Sequence, residues 1–164
     1  MLLINNAAFD KWSEGLDKRI EGNRLPNVTH QTVDLNDMKL APGSLDAVLL
    51  VKVYHDMYWV DNEGTWPKVN VSSVLDQLNK ALKPNGVLLL VDHSAVKGHG
   101  KSDAGTLHRV EEDFALKDFK AHGFKLADKS DVLRMPKDAR DQITYKGAMV
   151  GKTDRFVLVF RKGN

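Results

Sequence analysis

Imidazole and carboxylate side chains gather at the ends of apolar runs in this sequence. His55 and Asp56 follow the first long run beside Tyr54, and Asp92 and His93 end the second beside Ser94. His108 lies a short distance further on, between Thr106 and Arg109. A histidine or aspartate in such a place can take a proton from an oxygen or nitrogen nucleophile. A buried polar network that stabilises strand ends would use the same residue types, and a histidine taken alone is more often structural. Because five imidazole or carboxylate groups share these positions, we expect a site.

Metal binding and nucleophilic catalysis find less support in the residue pattern. His55, Asp56, His93 and His108 could ligate a metal ion. No dense motif of the His-Glu-x-x-His kind is present, so we expect no metal. The chain has no cysteine, which excludes disulfides, thiolate catalysis and cysteine-ligated zinc or iron–sulfur sites. Ser94 is the only obvious hydroxyl nucleophile, and no Gly-x-Ser-x-Gly turn accompanies it.

The elements that must position these groups alternate between strand-like and helix-like patterns, which is typical of an α/β domain. In chain order, the pattern predicts a short strand over 2–4, a helix over 7–22, a strand over 28–33, a buried strand within 46–54, a helix over 68–82, a second buried strand within 86–92, a helix over 107–121, a strand over 124–130, and a last strand over 155–161 after a polar excursion. Gly98 and Gly100 lie in a loop that we expect to be mobile.

Ligands of open parallel sheets bind beyond the C-terminal ends of the strands. Polar residues end the two earlier predicted strands as well, since Asn5 and Asn6 follow the first strand and Asp34 follows the second. Three large aromatic residues in the segment 57–67 either wall a pocket for a substrate or cap the core. The sequence therefore predicts one polar edge of the sheet, shared by all of these strand ends.

Length and composition describe one ordinary globular domain, which we expect to span residues 1–164. Net charge is +2, from 24 basic and 22 acidic residues scattered along the chain, and that balance argues against a nucleic-acid partner. No apolar run approaches the roughly 18 residues that span a bilayer. The N-terminus lacks a basic leader and a small-residue cleavage site, so we expect a cytoplasmic protein with no membrane partner.

Several segments resemble class I S-adenosylmethionine-dependent methyltransferases. The segment GSLDAVLLVKVYHDMYW is similar to their fourth strand, and LNKALKPNGVLLLVDHS is similar to their next helix, turn and fifth strand. With GTLHRVEEDF, HGFKL and GKTDRFVLVFRK, the set resembles a bacterial family of predicted small-molecule methyltransferases over nearly the whole chain. The resemblance implies an α/β Rossmann-like sheet that is mostly parallel, has an antiparallel last strand and is flanked by helices.

The resemblance implies S-adenosylmethionine as cofactor and assigns it three residues. Asn5 or Asn6 stands where these enzymes hold the cofactor ribose, although an acidic residue is commoner there. Asp34 stands where an acid often contacts the adenine amino group, and it could equally cap a helix or turn.

The methyl acceptor, a small molecule, would lie at the ends of the later strands. The resemblance gives these candidate catalytic residues: Tyr54, His55, Asp56, His93 and His108. The methyl group of S-adenosylmethionine is already activated, so the protein need only align acceptor and methyl and remove a proton.

The sequence departs from the family at its start. A first strand and a loop of the Asp-x-Gly-x-Gly type normally approach the cofactor, and no such motif is present here. That strand is central in doubly wound sheets, so a truncated sheet would leave buried backbone groups unpaired, at roughly 1–3 kcal/mol each. The remaining strands could pair directly, the sheet could rearrange, or a second copy could supply a strand. We expect a homo-oligomer.

Three functions fit these observations. The first is methyl transfer to a small molecule, which the missing loop counts against. The second is hydrolase or lyase chemistry by the strand-end histidines and aspartates on a remnant scaffold. The third is a non-catalytic module that folds by oligomerising, because fold alone does not determine function.

Overall fold

The computed structural model describes residues 1–12, 14–60 and 66–163, which contain six strands, three α-helices and short 3₁₀ turns. The strands are β1 (Leu2–Asn6), β2 (Thr29–Val33), β3 (Leu45–Val51), β4 (Leu82–His93), β5 (Phe124–Ser130) and β6 (Arg155–Lys162). The helices are α1 (Glu14–Ile20), α2 (Val71–Ala81) and α3 (Glu112–Ala121). None of the described helices is long and apolar enough to cross a membrane.

The larger of two sheets has the strand order β3–β4–β6–β5. β3 lies parallel to β4, with Val48 opposite Leu88 and Leu50 opposite Leu90. β6 is antiparallel to both β4 and β5. β3, β4 and β5 therefore run in one direction and the last strand runs against them, which confirms the predicted mixture of directions.

β1 and β2 form a separate parallel pair. Among the described residues, no strand pairs with the second edge of β1 or of β3. The segment after β2 fastens the pair to the region of α2, because Asn36 Nδ2 donates to the Lys68 carbonyl at 3.1 Å and the Leu40 amide donates to Gln77 Oε1 at 2.6 Å. The described strands are thus divided into two sheets that do not pair with each other.

The core lies between the larger sheet and the helices α2 and α3. Apolar residues recur three and four positions apart on α2 and give it one buried face. Asn70 caps this helix by accepting a hydrogen bond from the Ser73 amide at 3.2 Å. Phe119 of α3 stacks on Phe160 of β6 with ring centroids 4.6 Å apart, and both side chains are buried.

The other face of β3 is open. Side chains alternate between the two faces of a strand, and Val48 and Leu50 point into the core while Leu49 and Val51 are exposed, Leu49 to 65%. In a doubly wound sheet helices cover both faces. Within the described residues none covers these two side chains, so β3 has both an unpaired edge and an uncovered apolar face.

The prediction of a helix over 107–121 was wrong at its start. Val110 forms a parallel bridge with Ser94, and its amide donates to the His93 carbonyl at 3.0 Å. His108 has a φ of +54°, which an α-helix does not tolerate. Pairing with the end of β4 therefore outweighs the helical pattern until Glu112, and Thr106, His108 and Arg109 precede the helix rather than begin it.

Other boundaries moved less. The predicted helix over 7–22 is divided into a 3₁₀ segment (Ala7–Trp12), α1 and a second 3₁₀ turn that ends at Asn23. The predicted loop over 57–67 is described only at its ends, because 61–65 lie outside the described residues. The loop that contains Gly98 and Gly100, which we expected to be mobile, is held by hydrogen bonds. The Gly98 and Gly100 amides donate to the Glu111 carboxylate at 2.9 and 2.8 Å.

Replacing a core leucine of β4 should cost far more stability than replacing an edge leucine of β5. Leu90 is fully buried, so we expect Leu90→Ala to lower the free energy of unfolding by about 2–5 kcal/mol. Leu126 is 47% exposed, and Leu126→Ala should cost about 0.5 kcal/mol or less. Urea unfolding followed by circular dichroism measures both, and similar losses in the two variants would contradict this account of the core.

Candidate active site

Two neighbouring strands deliver the ionisable side chains of the candidate site. β3 ends at Val51, and the Lys52 amide donates to the Val91 carbonyl of β4 at 2.7 Å. A 3₁₀ turn over His55–Tyr58 follows and turns the chain across the end of β4. His55 and Asp56 are buried on this turn, at 3% and 6% exposure.

Asp92, near the C-terminal end of β4, organises this turn. Its carboxylate, fully buried, accepts a hydrogen bond from the His55 amide at 2.9 Å and from the His93 amide at 2.7 Å. Its Oδ1 also lies 2.6 Å from His55 Nδ1. Because a carboxylate only accepts, the Nδ1 proton of His55 is directed to Asp92 and the Nε2 atom faces the other way.

Three ligand-type atoms meet beside Asp92, and we call them the His–Asp–His triangle: His55 Nε2, Asp56 Oδ1 and His108 Nδ1. His55 Nε2 lies 3.1 Å from Asp56 Oδ1, His108 Nδ1 lies 3.2 Å from the same oxygen, and the two nitrogens are 3.3 Å apart. Among the described residues, Asp56 Oδ1 accepts no hydrogen bond of good geometry although it is buried. His108 is the most accessible of the three, with 16% of its side chain exposed.

His108 reaches the triangle through an unusual backbone. The Val110–Ser94 bridge holds its segment against the end of β4, and the left-handed φ of His108 belongs to a conformation that few non-glycine residues adopt. Its imidazole packs edge-on against Tyr145 at 4.8 Å between centroids and lies 5.6 Å from the ring of Trp59.

Burial and neighbouring carboxylates set the charges of the site. Burial alone would lower the pKa of His55, but the carboxylates of Asp92 and Asp56 outweigh it and raise that pKa to about 10. Burial opposes ionisation of Asp56, yet interaction with His108 and His55 keeps its pKa below the usual value. Burial lowers the pKa of His93 to about 4, so that imidazole is neutral near pH 7.

The structure separates Tyr54 from the other predicted catalytic residues. Its hydroxyl donates to Asp118 Oδ2 of α3 at 2.6 Å, and its ring lies in the core against Phe119. Burial raises its pKa well above the usual value, with Tyr58 and Asp118 adding to the effect. Tyr54 therefore packs the turn onto α3, whereas His93 stays near the triangle, with its ring 5.9 Å from that of His55.

The aromatic residues of the segment 57–67 divide between two places. Tyr58 donates to Asp118 and lines a cleft of about 580 Å³ at the start of α2. Trp59 packs on His108, and the buried Trp66 donates from Nε1 to the Asp56 carbonyl at 3.1 Å. The two tryptophans, 5.1 Å apart, therefore form a wall beside the triangle.

The predicted cofactor residues lie at the ends of the smaller sheet. Asn6 is buried, its Oδ1 accepts from the Ala8 amide at 3.2 Å, and its Nδ2 has no partner among the described residues. Asn5 is half-buried. Asp34 accepts from the Asn36 amide at 2.8 Å and caps the 3₁₀ turn that follows β2, which is the capping role that the sequence left open.

A buried ionic network holds the polar excursion against the site. Arg109 is fully buried, donates to both oxygens of Asp138 at 2.8 and 3.2 Å, and donates to the Ser94 carbonyl at 3.0 Å. Asp138 Oδ2 also accepts from the Asp154 amide at 2.6 Å. Asp154 pairs with Arg140 at 2.9 Å and with Arg134 at 3.3 Å.

Sequence reasoning missed three residues that shape the site. Tyr145 flanks His108, Asp138 neutralises Arg109, and Asp118 withdraws Tyr54 from the strand ends. Each acts on a residue at least 29 positions away, so no local spacing reveals it.

The sequence matches no protein-family model and no curated protein. The fold is similar to that of solved S-adenosylmethionine-dependent methyltransferases. One, from Leishmania major, is 12% identical with a TM-score of 0.62 and matches 98% of this chain and 55% of its own. A second, the Burkholderia thailandensis 1,6-didemethyltoxoflavin-N1-methyltransferase with bound S-adenosylhomocysteine, is 14% identical with a TM-score of 0.57, over 99% of this chain and 61% of its own.

A third similar structure is the [4+2]-cyclase SpnF, which is 13% identical with a TM-score of 0.61 and matches 99% of this chain and 75% of its own. The chain therefore has the class I methyltransferase fold and spans between 55% and 75% of the length of these three proteins. The predicted fold class is confirmed. The presence of a cyclase among them shows that one fold accommodates different reactions.

Breaking the ion pair between Arg109 and Asp138 should strongly destabilise the protein. Asp138→Asn leaves a buried arginine unneutralised, and we expect a loss of about 3–5 kcal/mol in the free energy of unfolding. Asp131→Asn is the control, because that side chain is 83% exposed and meets Arg134 only at 3.5 Å. Urea unfolding at pH 7 measures both, and equal losses would contradict the role of the pair.

The difference in the free energy of unfolding between the native chain and Asp138→Asn should also depend on pH. Burial opposes ionisation of Asp138, but Arg109 outweighs it and lowers the pKa of Asp138. The stabilisation is therefore present above the aspartate pKa of the unfolded chain, about 3.9, and is lost as the pH falls through the folded value. Urea unfolding of the native chain and of Asp138→Asn should therefore give a smaller difference in the free energy of unfolding in acid than at pH 7.

Proposed function

We propose that this protein transfers a methyl group from S-adenosylmethionine to an oxygen or nitrogen atom of a small molecule. The observation that supports the proposal is the His–Asp–His triangle at the C-terminal ends of β3 and β4, the edge at which open α/β sheets bind their ligands. Proteins with this fold include a methyltransferase with bound S-adenosylhomocysteine.

His108 is the proposed general base. Its Nδ1 faces Asp56 Oδ1 at 3.2 Å, so Nε2, on the other side of the ring, is the atom that can accept a proton from the acceptor. His55 is less suited to this role, because two carboxylates hold its proton. His55 and Asp92 instead position Asp56 and its turn.

The residues at the ends of the smaller sheet fit part of the cofactor. The buried Nδ2 of Asn6 has no partner among the described residues, and a ribose hydroxyl would satisfy this donor. One carboxylate oxygen of Asp34 caps the following turn, and the second could accept from an adenine amino group. When bound, S-adenosylmethionine supplies a methyl group already activated on a sulfonium.

Binding of S-adenosylhomocysteine tests this proposal without knowledge of the acceptor. We expect saturable binding in a calorimetric titration, and Asp34→Ala should weaken it roughly 10–100-fold, the effect of one hydrogen bond to a charged group. Asp37→Ala, in the same 3₁₀ turn, is the control and should bind as the native chain does. The proposal fails if the native chain shows no binding.

A second chemistry uses the same cluster without the cofactor. The similarity to a [4+2]-cyclase favours keeping this alternative, since the fold is compatible with more than one reaction. Hydrolase or lyase activity that is lost in His55→Ala, in a chain that does not bind S-adenosylhomocysteine, would identify it.

We also propose that copies of this chain associate through β3. The Lys52 amide points to β4, so the alternate residues Val51 and Leu49 direct their N–H and C=O groups to the unpaired edge. Unpaired edges beside exposed apolar side chains favour association. A second copy would cover Leu49 and Val51 and complete the part of the sheet next to the site.

A lysine on this surface should separate the copies. We expect the native chain to have at least twice the monomer mass in light scattering, and Leu49→Lys to reduce it to that of a monomer. Leu126→Lys, on β5 at the opposite end of the sheet, is the control and should keep the native mass. A native chain that stays monomeric at all concentrations would refute the association.

A further inference from the structure

We propose that the His–Asp–His triangle is a binding site for a divalent transition-metal ion, with His55 Nε2, Asp56 Oδ1 and His108 Nδ1 as ligands. The sequence led us to expect no metal, because its histidines and aspartates form no dense motif. The structure brings the ligand atoms together from two distant segments, the turn after β3 and the loop before α3. The proposal does not require methyl transfer: with Nδ1 bound to an ion, His108 carries its proton on Nε2, so this histidine serves either as the ligand or as the proposed general base.

The spacing of the three atoms suits one ion. Nitrogen and oxygen ligands lie about 2.0–2.2 Å from zinc, so two of them are about 3.0 Å apart at neighbouring octahedral positions and about 3.4 Å apart in a tetrahedron. The three sides of the triangle measure 3.1, 3.2 and 3.3 Å. A single ion placed between the atoms can therefore contact all three without moving a side chain by more than a few tenths of an ångström.

The hydrogen bond between His55 Nε2 and His108 Nδ1, at 3.3 Å, accounts for only one side of the triangle. Asp56 Oδ1 is buried beside two imidazole nitrogens, yet neither is aligned with it for a hydrogen bond of good geometry among the described residues. A buried carboxylate oxygen without a partner is rare in folded proteins. An ion held by all three atoms would satisfy it, because coordination needs the lone pairs to face a shared point rather than one another.

Asp92 prepares His55 to act as a ligand. Its carboxylate lies 2.6 Å from His55 Nδ1 and holds a proton there, so Nε2 is the atom directed at the triangle, and an ion bound there would displace the Nε2 proton. A carboxylate behind a histidine ligand is the usual support of protein metal sites, where it sets the tautomer and the ring orientation. The same carboxylate accepts from the His55 amide at 2.9 Å, so the backbone of the turn is positioned as well.

The charge of the pocket also suits a cation. Asp56 and Asp92 are both buried, and within the part of the chain that the structure describes neither pairs with a lysine or an arginine. Arg109 is committed to Asp138. Once the ion has displaced the Nε2 proton of His55, two neutral imidazoles, two carboxylates and one divalent ion form an electrically neutral group, which is the least costly state for a buried cluster.

The ligand set indicates the class of ion. Two imidazole nitrogens and one carboxylate oxygen favour the ions from manganese to zinc over calcium or magnesium, which prefer oxygen ligands. Three protein ligands leave at least one position open, and the partly exposed side is that of His108, between Trp59 and Tyr145. A hydroxyl group or water bound at that position would lose its proton more readily than in solution.

Direct metal titration tests the proposal. The untagged chain is freed of metal with a chelator, and Co²⁺ and Zn²⁺ are titrated separately by calorimetry. We expect one ion per chain, and the Co²⁺ form should show the visible d–d absorption of a site with nitrogen and oxygen ligands. Absence of saturable binding of both ions at micromolar concentrations overturns the proposal.

Variants assign the binding to the triangle. His108→Ala and Asp56→Asn should weaken Co²⁺ binding at least 100-fold and abolish the visible bands, and Asp92→Asn should weaken it 10–100-fold, the usual effect of removing a supporting carboxylate. The control is His99→Ala, which removes a half-exposed histidine that pairs with Asp103 away from the triangle. Binding that survives in His108→Ala, or that is lost equally in His99→Ala, places the ion elsewhere and overturns the assignment.

His108→Ala also separates loss of metal binding from loss of the fold. This side chain is partly exposed, so its removal should leave the circular dichroism spectrum unchanged. None of these measurements uses S-adenosylmethionine or a methyl acceptor. A chain that binds metal but not S-adenosylhomocysteine would support this inference and refute the proposed methyl transfer, and the reverse result would do the opposite.

Discussion

The carboxylate of Asp92 is the interaction on which the site depends. It is fully buried near the end of β4, and it accepts from the His93 amide beside it as well as from the His55 amide and the His55 ring nitrogen of the turn after β3. A buried carboxylate without such donors would cost several kcal/mol. Asp92 of β4 therefore positions the turn after β3, and the hydrogen bonds from that turn stabilise the buried carboxylate.

The rest of the cluster follows from that bond. Once His55 is held by Asp92, its Nε2 atom faces Asp56 and leaves room for one further group. His108 fills this room because Val110 pairs with the end of β4 and because the pair of Arg109 and Asp138 anchors the following segment. The left-handed backbone of His108 is a local strain that these two long-range contacts sustain.

Much of the frame could be predicted from the sequence, and the reason is physical. β3, β4 and α2 are long apolar patterns whose burial dominates their local energetics, and the rule that parallel strands present their ends at one edge placed His55, Asp56 and Asp92 correctly. His108 could not be placed in the same way. Its segment has a helical pattern, but the bridge between Val110 and Ser94, just after β4, overrides it.

The sequence grouped Tyr54 with the site residues, but the structure places its side chain in the core. It adjoins His55 in the sequence, so a strand-end rule groups the two, but a 3₁₀ turn sends successive side chains in different directions. The hydroxyl of Tyr54 finds Asp118 on α3, a partner that no spacing reveals. Contact between elements, rather than position at a strand end, decides which polar residue joins the site and which supports the core.

The two halves of the proposed reaction rest on different constraints. The His–Asp–His triangle lies at the ends of β3 and β4, which pair with each other. All three of its atoms come from one chain. Asn6 and Asp34 belong to the pair of β1 and β2, and the described strands do not pair that group with β3. In the proposed reaction, the residues that would face the acceptor are therefore held by one chain, whereas the alignment of donor and acceptor would depend on how the two sheets are held together. Assembly should then govern methyl transfer while leaving the triangle unchanged.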